Sequence, residues 1–298
     1  MRDRKVIVLI LFALVLATVG IMVLFGWRIP AFRNDLNDTI SSEASTESKN
    51  QVEKDESKLS GYTFTNTVNG VDTVIYLPET YNDKVKNKYV IYVHGANRTA
   101  TYISSAKCGD LLSKLLTDGF VVIATTGATK NSWGNPQSSI DIQDLVNYYK
   151  PTYNLEEKPY VFMQSMGGIV TMNAVAKGYL TPKAIAGVFP ALNLRDMYDN
   201  GWEWQIRNAY GFTNKSEYNG KTAGCDPMLS DFTKYKDIPF YILSSYSDTV
   251  VSTIRNRDLF KAKLLAAGGS ITTVDTKGEH TDLSNYQSDN IIKFFNEH

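Results

Sequence analysis

Three residues far apart in the chain carry the side chains needed for nucleophilic chemistry. Ser165 lies in Val161-Phe162-Met163-Gln164-Ser165-Met166-Gly167-Gly168, where an apolar run gives way to small residues. A serine at a sharp strand-to-helix turn has its Oγ exposed at a sheet edge, and the next N–H, at a helix N-terminus, can stabilise an oxyanion. Its hydroxyl is a poor nucleophile until a neighbouring base takes the proton. The chain has 3 histidines. His298 is the final residue, and His94, in Val93-His94-Gly95-Ala96-Asn97, suits a loop brace better than a base. That leaves His280, in Gly278-Glu279-His280-Thr281-Asp282. The acid that orients it is expected after the preceding strand, where Ser247-Asp248-Thr249-Val250-Val251 offers Asp248. Asp226, in Cys225-Asp226-Pro227, is the rival.

An oxyanion needs preorganised donors, each worth about 3 kcal/mol where they have been removed. The Met166 N–H is one, and the loop after Val93 supplies the other most simply through the Ala96 N–H. Asn97 is either a further side-chain donor to substrate or a brace of that loop.

Positioning these groups requires strands that end along one edge. Tyr62–Val68 and Thr73–Leu77, joined by Asn69-Gly70, read as a hairpin. Tyr89–Val93, Phe120–Thr125, Tyr160–Met163, Ile185–Phe189, Phe240–Leu243 and Ile271–Val274 read as strands. Cys108–Leu116, Ile140–Tyr149 (stopping before Pro151), a segment from Ser165 through Ala176, Ile254–Ala267 and Leu283–Phe295 read as helices. Alternation of this kind implies an α/β domain with a mostly parallel sheet covered on both faces. Right-handed crossovers then collect the site along one edge. Residues 191–236 break the alternation. Rich in Tyr and Trp, they are expected to form a cap over the site, with Trp202 and Trp204 among its substrate-binding side chains.

Lys plus Arg equals Asp plus Glu at 31 each, so no global field favours nucleic acid. Cys108 and Cys225 form neither a metal set nor a CxxC pair, and either a disulfide or two buried thiols is compatible with them.

His94-Gly95, Ser132-Trp133-Gly134, Gln164-Ser165-Met166-Gly167-Gly168, Asp226-Pro227, Ser247-Asp248-Thr249-Val250-Val251 and Gly278-Glu279-His280 occur in an order that resembles esterases and peptidase-like members of the α/β-hydrolase superfamily. The order Ser165, Asp248, His280 is also that of these enzymes, not of chymotrypsin or subtilisin scaffolds. The resemblance covers about residues 71–295. It implies an α/β-hydrolase fold, an acyl-enzyme on Ser165, His280 and Asp248, no metal or organic cofactor, and a small-molecule or acylated substrate contacted by Trp133 among others. A carboxylesterase is the leading expectation; a peptidase, an acyltransferase or a non-catalytic ligand-binding protein on the same scaffold are the alternatives. Met163 stands where G-x-S-x-G has glycine, and Glu279 where a smaller residue is common.

Before this domain, Val6–Phe25 is 20 residues without a charge, 15 of them Val, Ile, Leu or Phe. A helix of that length spans about 30 Å, the thickness of a bilayer's hydrocarbon core. The run exceeds the 7–15 residues usual in a signal peptide, and no A-x-A site follows, so residues 1–33 read as an uncleaved anchor rather than a cleaved leader. Arg2, Arg4 and Lys5 precede the run and Arg28 and Arg33 follow it, a bias toward an extracytoplasmic domain. Residues 34–58 are polar and read as a disordered linker to a domain at 59–298.

Overall fold

The computed structural model describes residues 61–298; Val6–Phe25 and the polar segment after it lie outside the described residues. Among the described residues, no helix is long and apolar enough to cross a membrane.

Strands β1 (Tyr62–Val68) and β2 (Val71–Leu77) pair antiparallel across a turn in which Asn69 and Gly70 both have positive φ. The remaining strands are β3 (Tyr89–Val93), β4 (Val121–Thr125), β5 (Tyr160–Gln164), β6 (Ala184–Val188), β7 (Phe240–Ser245) and β8 (Ile271–Thr276). They assemble in the order β1-β2-β4-β3-β5-β6-β7-β8. From β4 to β8 every neighbouring pair is parallel. Successive side chains of a strand face opposite sides, so each apolar strand feeds two cores. In β3, Tyr89, Ile91 and Val93 join the cluster under helices α2 (Pro136–Thr152), α3 (Gly167–Ala176) and α7 (Leu259–Ala266). Val90 and Tyr92 join the cluster under α1 (Leu111–Thr117) and α8 (Ser288–Asn296).

All five helices differ from their sequence-based limits: α1 starts at Leu111 after a 3₁₀ turn that ends at Cys108, and α3 starts at Gly167, two residues past Ser165. α2 begins at Pro136, because the Asn135 side chain accepts from the Ser138 N–H and proline suits the first helical position. It also runs through Pro151, which lies in the last turn and forfeits only one terminal bond. Leu283–Phe295 is a 3₁₀ turn (Leu283–Asn285) followed by α8. Ile254–Ala267 opens with a π turn, Ile254–Asp258, before α7.

Between β6 and β7, the segment 191–236 forms three short helices, α4 (Leu194–Met197), α5 (Glu203–Tyr210) and α6 (Tyr218–Lys221), linked by turns. Leu194, Met197, Tyr198, Ile206, Phe212 and Tyr218 pack in one cluster with Trp133, Met166 and Ile169, whereas Leu192, Met228, Phe232 and Tyr235 join the cluster under α2, α3 and α7. Cys108 and Cys225 are both buried free thiols. The Cys108 Sγ faces the Tyr286 hydroxyl at 3.7 Å, whereas the Cys225 Sγ accepts from Lys177 Nζ at 3.5 Å.

The β5–β6 register explains the methionine before the serine. Met163 lies directly opposite Gly187. A Cβ at residue 187 would stand 3.0 Å from both Met163 Cγ and Cε, and 3.1 Å from Ile242 Cδ1. The small residue has moved one strand over, and the methionine fills the space it vacates. Gly187→Val should therefore cost about 1–3 kcal/mol through overpacking. In a urea-denaturation double-mutant cycle, Met163→Ala should recover part of that loss, and strict additivity of the two changes would refute the pairing.

Candidate active site

Ser165 sits between β5 and α3 with φ 49°, a left-handed conformation that costs a non-glycine residue about 1–3 kcal/mol. Contacts on every side hold it there. Its carbonyl accepts from the Gly168 N–H (2.9 Å) and the Ala191 N–H (2.8 Å), and its own N–H reaches the Val188 carbonyl at 3.4 Å. The two glycines after it are sterically required. A Cβ on Gly167 would lie 2.2 Å from the Val93 oxygen, and one on Gly168 would lie 2.3 Å from the Ala191 oxygen. The helix start is thus wedged between the ends of β3 and β6. Below it, the Tyr92 hydroxyl donates to Gln164 Oε1 at 2.7 Å.

This turn delivers Ser165 Oγ to His280 Nε2 at 3.0 Å, and His280 Nδ1 lies 2.7 Å from Asp248 Oδ2. The Asp248 side chain is 1% exposed, and its Oδ1 accepts the Val250 and Val251 amides at 2.8 and 2.9 Å. One carboxylate oxygen is therefore committed to its loop and the other to the imidazole. Such a carboxylate fixes the tautomer that leaves Nε2 free to accept a proton. The imidazole is 14% exposed and rests against Phe189, with ring centroids 4.5 Å apart. Phe189 itself has φ 41°, a second strained position beside the first. The loop carrying His280 is held from behind by the buried Asn285, whose amide donates to the Glu279 carbonyl (2.7 Å) and accepts from Thr276 Oγ1 (2.5 Å).

His94 and Asp226 are engaged elsewhere. The ring nitrogens of His94 face the Gly95 and Thr126 carbonyls, and burial lowers its pKa below the usual imidazole range. Asp226 accepts from the Leu194, Arg195 and Met228 amides, pinning the start of α4 to its own turn. Burial raises its pKa in spite of those bonds.

The candidate oxyanion donors flank Ser165. Met166 is bonded to it, and Ala96 follows Gly95, where an added Cβ would stand 3.1 Å from Ser165 Cβ. Among the described residues, neither amide is committed to another protein acceptor. Asn97 is a brace: its N–H donates to Asn131 Oδ1 and its Oδ1 accepts from Asn131 Nδ2, each at 2.8 Å. Trp133 is 1% exposed; its amide donates to Met166 Sδ at 3.4 Å and its ring lies 4.9 Å from that of half-buried Trp202. Trp204, in contrast, is 72% exposed on the outer side of the cap segment, because it begins a helix whose buried residue is Ile206. Ala96, Trp202, Ala209, Tyr210 and Val250 are the partly buried apolar side chains packed against the cluster that holds Trp133, Met166 and Ile169. Sequence reasoning passed over Val250, Phe189 and Asn285. Only Val250 carried a signal, its place two residues after Asp248. No group of three or more potential metal-ligating side chains occurs among the described residues.

No family model and no curated protein sequence matches the chain. Solved structures do. An S-formylglutathione hydrolase from Agrobacterium tumefaciens superposes with a TM-score of 0.65 at 13% identity, covering 83% of this chain and 98% of that one. A truncated carbohydrate esterase from gut microbiota does so at 0.65 and 17% identity, covering 81% and 97%. Dipeptidyl peptidase 4 of Porphyromonas gingivalis matches at 0.64 and 16% identity over 80% of this chain, which spans only 36% of that protein. The described domain thus has the α/β-hydrolase fold.

The two acids can be separated experimentally. Asp248→Asn should lower kcat on an ester by about 10⁴-fold with unchanged thermal stability, as loss of an orienting carboxylate does. Asp226→Asn should chiefly lower the melting temperature. The reverse pattern would exchange their roles.

Proposed function

We propose that this protein is a serine hydrolase that cleaves a carboxylic ester through an acyl-enzyme. The observation that carries the reading is the unbroken chain from Ser165 Oγ through His280 to Asp248 at 3.0 and 2.7 Å, with Ser165 in a strained turn. His280 Nε2 takes the hydroxyl proton as Oγ attacks the acyl carbon. The carbonyl oxygen gains the negative charge and is met by the Ala96 and Met166 N–H groups. On collapse the bond to the leaving oxygen breaks, and His280 returns the proton to that oxygen, releasing an alcohol. Water then repeats the sequence: His280 takes its proton, the acid departs, and Ser165 recovers its hydrogen. Asp248 accepts from Nδ1 throughout and supports the imidazolium. Val250, Ala96 and Trp202, which pack against the cluster that holds Met166, offer the acyl group an apolar wall.

Alignment over nearly the whole of the S-formylglutathione hydrolase and the carbohydrate esterase supports the ester reading. Peptidase or acyl-transfer chemistry would use the same three residues, and substrates tell them apart. On p-nitrophenyl esters of graded acyl length, the domain should turn over the short ones, and Ser165→Ala should lose at least about 10⁴-fold in kcat. Equal activity in the variant would remove Ser165 from the role. Turnover of aminoacyl amides but of no ester would favour the peptidase.

The tether belongs to the same proposal: residues 6–25 anchor the chain in the cell membrane, with the domain on the extracytoplasmic side. The apolar run and the charges flanking it support this. The full chain should stay with membranes through alkaline carbonate extraction. Release into the supernatant would contradict the anchor.

A further inference from the structure

Asp248 and Val250 also line a cavity of about 490 Å³ between Asn200 of the 191–236 segment and the stretch from Tyr246 to Arg255. The rest of its lining is mostly polar: Asn200 comes from the 191–236 segment, and Tyr246, Thr249, Ser252 and Arg255 flank Asp248, with Ile254 beside them. From these groups we infer that the cavity is a leaving-group subsite for a hydroxylated, uncharged ring, a sugar residue esterified to the acyl group. The inference rests on the ester-hydrolase reading and adds the class of alcohol released.

Three features carry it. First, the polar groups are preset. Asp196, its side chain 4% exposed, holds the Arg255 Nε in an ion pair and accepts from Asn200 Nδ2 at 2.9 Å. That leaves the terminal guanidinium nitrogens as donors and the Asn200 Oδ1 as an acceptor, with no other protein partner for either among the described residues. A donor set beside an acceptor matches a hydroxyl, which both gives and receives a hydrogen bond. Second, Asp196 offsets the Arg255 charge, so the cavity is not built for an anion. A ligand that is polar yet neutral remains. Third, Tyr246 is 59% exposed but not loose. Its hydroxyl donates to Asp258 Oδ2 at 2.9 Å and accepts from Arg257 Nη2 at 3.1 Å, and the Arg257 guanidinium carbon sits 5.3 Å from the ring centroid. A ring tethered at its polar end presents its apolar body at low entropic cost, the kind of platform on which the C–H face of a sugar packs.

Location fits the reaction. Val250 borders the cavity and also packs against the apolar cluster that holds Met166, while its amide is held by Asp248. An ester straddling Val250 has its acyl group against Trp202 and its alcohol among Asn200, Tyr246 and Arg255. Asp248, which lines the cavity, is bonded to His280, the group that returns the proton to the departing oxygen.

The experiment compares two acetates of primary alcohols, 6-O-acetylglucose and ethyl acetate, which share the acyl group and differ in the hydroxylated ring. The wild-type chain should favour the sugar ester in kcat/KM by at least about ten-fold, the least expected of a site built to bond hydroxyls. Tyr246→Leu and Arg255→Gln should each bring that ratio toward one. As a check that needs no variant, methyl α-glucoside should inhibit wild-type ethyl acetate hydrolysis competitively, and cyclohexanol at equal concentration should not. A wild-type ratio near one, or a ratio unchanged in both variants, overturns the subsite. Labelling of the same preparations with a fluorophosphonate probe separates the two failures: a labelled enzyme without sugar preference leaves the hydrolase reading intact, while an unlabelled wild type overturns both.

Discussion

The structure depends on one turn held in an unfavourable backbone conformation. At φ 49°, Ser165 would relax if its neighbours let it. Amides from its own helix and from the β6 side grip its carbonyl, and Gly167 and Gly168 have no room for a Cβ. Strain of this kind survives only where the surroundings over-determine it. Here the surroundings are the ends of β3, β5 and β6, so the sheet's parallel register fixes where the hydroxyl points. Phe189 repeats the pattern at the end of β6: strained at φ 41°, it gives the imidazole a wall to rest against.

Electrostatics extend the same logic outward. Asp248 divides its oxygens between two loop amides and His280, so the loop, the acid and the base are placed by one side chain. Its rival Asp226 does comparable work for the cap, trading three amide bonds for the cost of burial. Two carboxylates that were candidates for one role thereby take different jobs. What separates them is whether an oxygen is left over for an imidazole.

Much of this was legible in the chain because it was local. Runs such as Val121–Thr125 and Tyr160–Gln164 are too apolar and too short to be anything but buried strands between helices. With three histidines, one terminal and one in a strand-end loop, elimination could single out His280, and strand order then pointed to Asp248. The illegible parts are non-local. Met163 makes sense only once Gly187 is known to lie opposite it, a pairing set by register. The exposure of Trp204 follows from which face of a short helix turns inward, and an aromatic-rich stretch does not encode that by composition. Asn97 and Asn285 look alike as loop asparagines, yet one pairs with Asn131 and the other braces the His280 loop. Pro151 ended a helix in the sequence reading because its place within the last turn depends on where that helix starts.

The proposed function rests on Ser165 being activated by His280. The most direct measurement is to treat the protein with a fluorophosphonate, digest it and locate the adduct by peptide mass spectrometry. An adduct on Ser165, formed in the wild type and absent after His280→Ala, is the expected result. An adduct on another serine, or labelling of Ser165 that persists without His280, would contradict it.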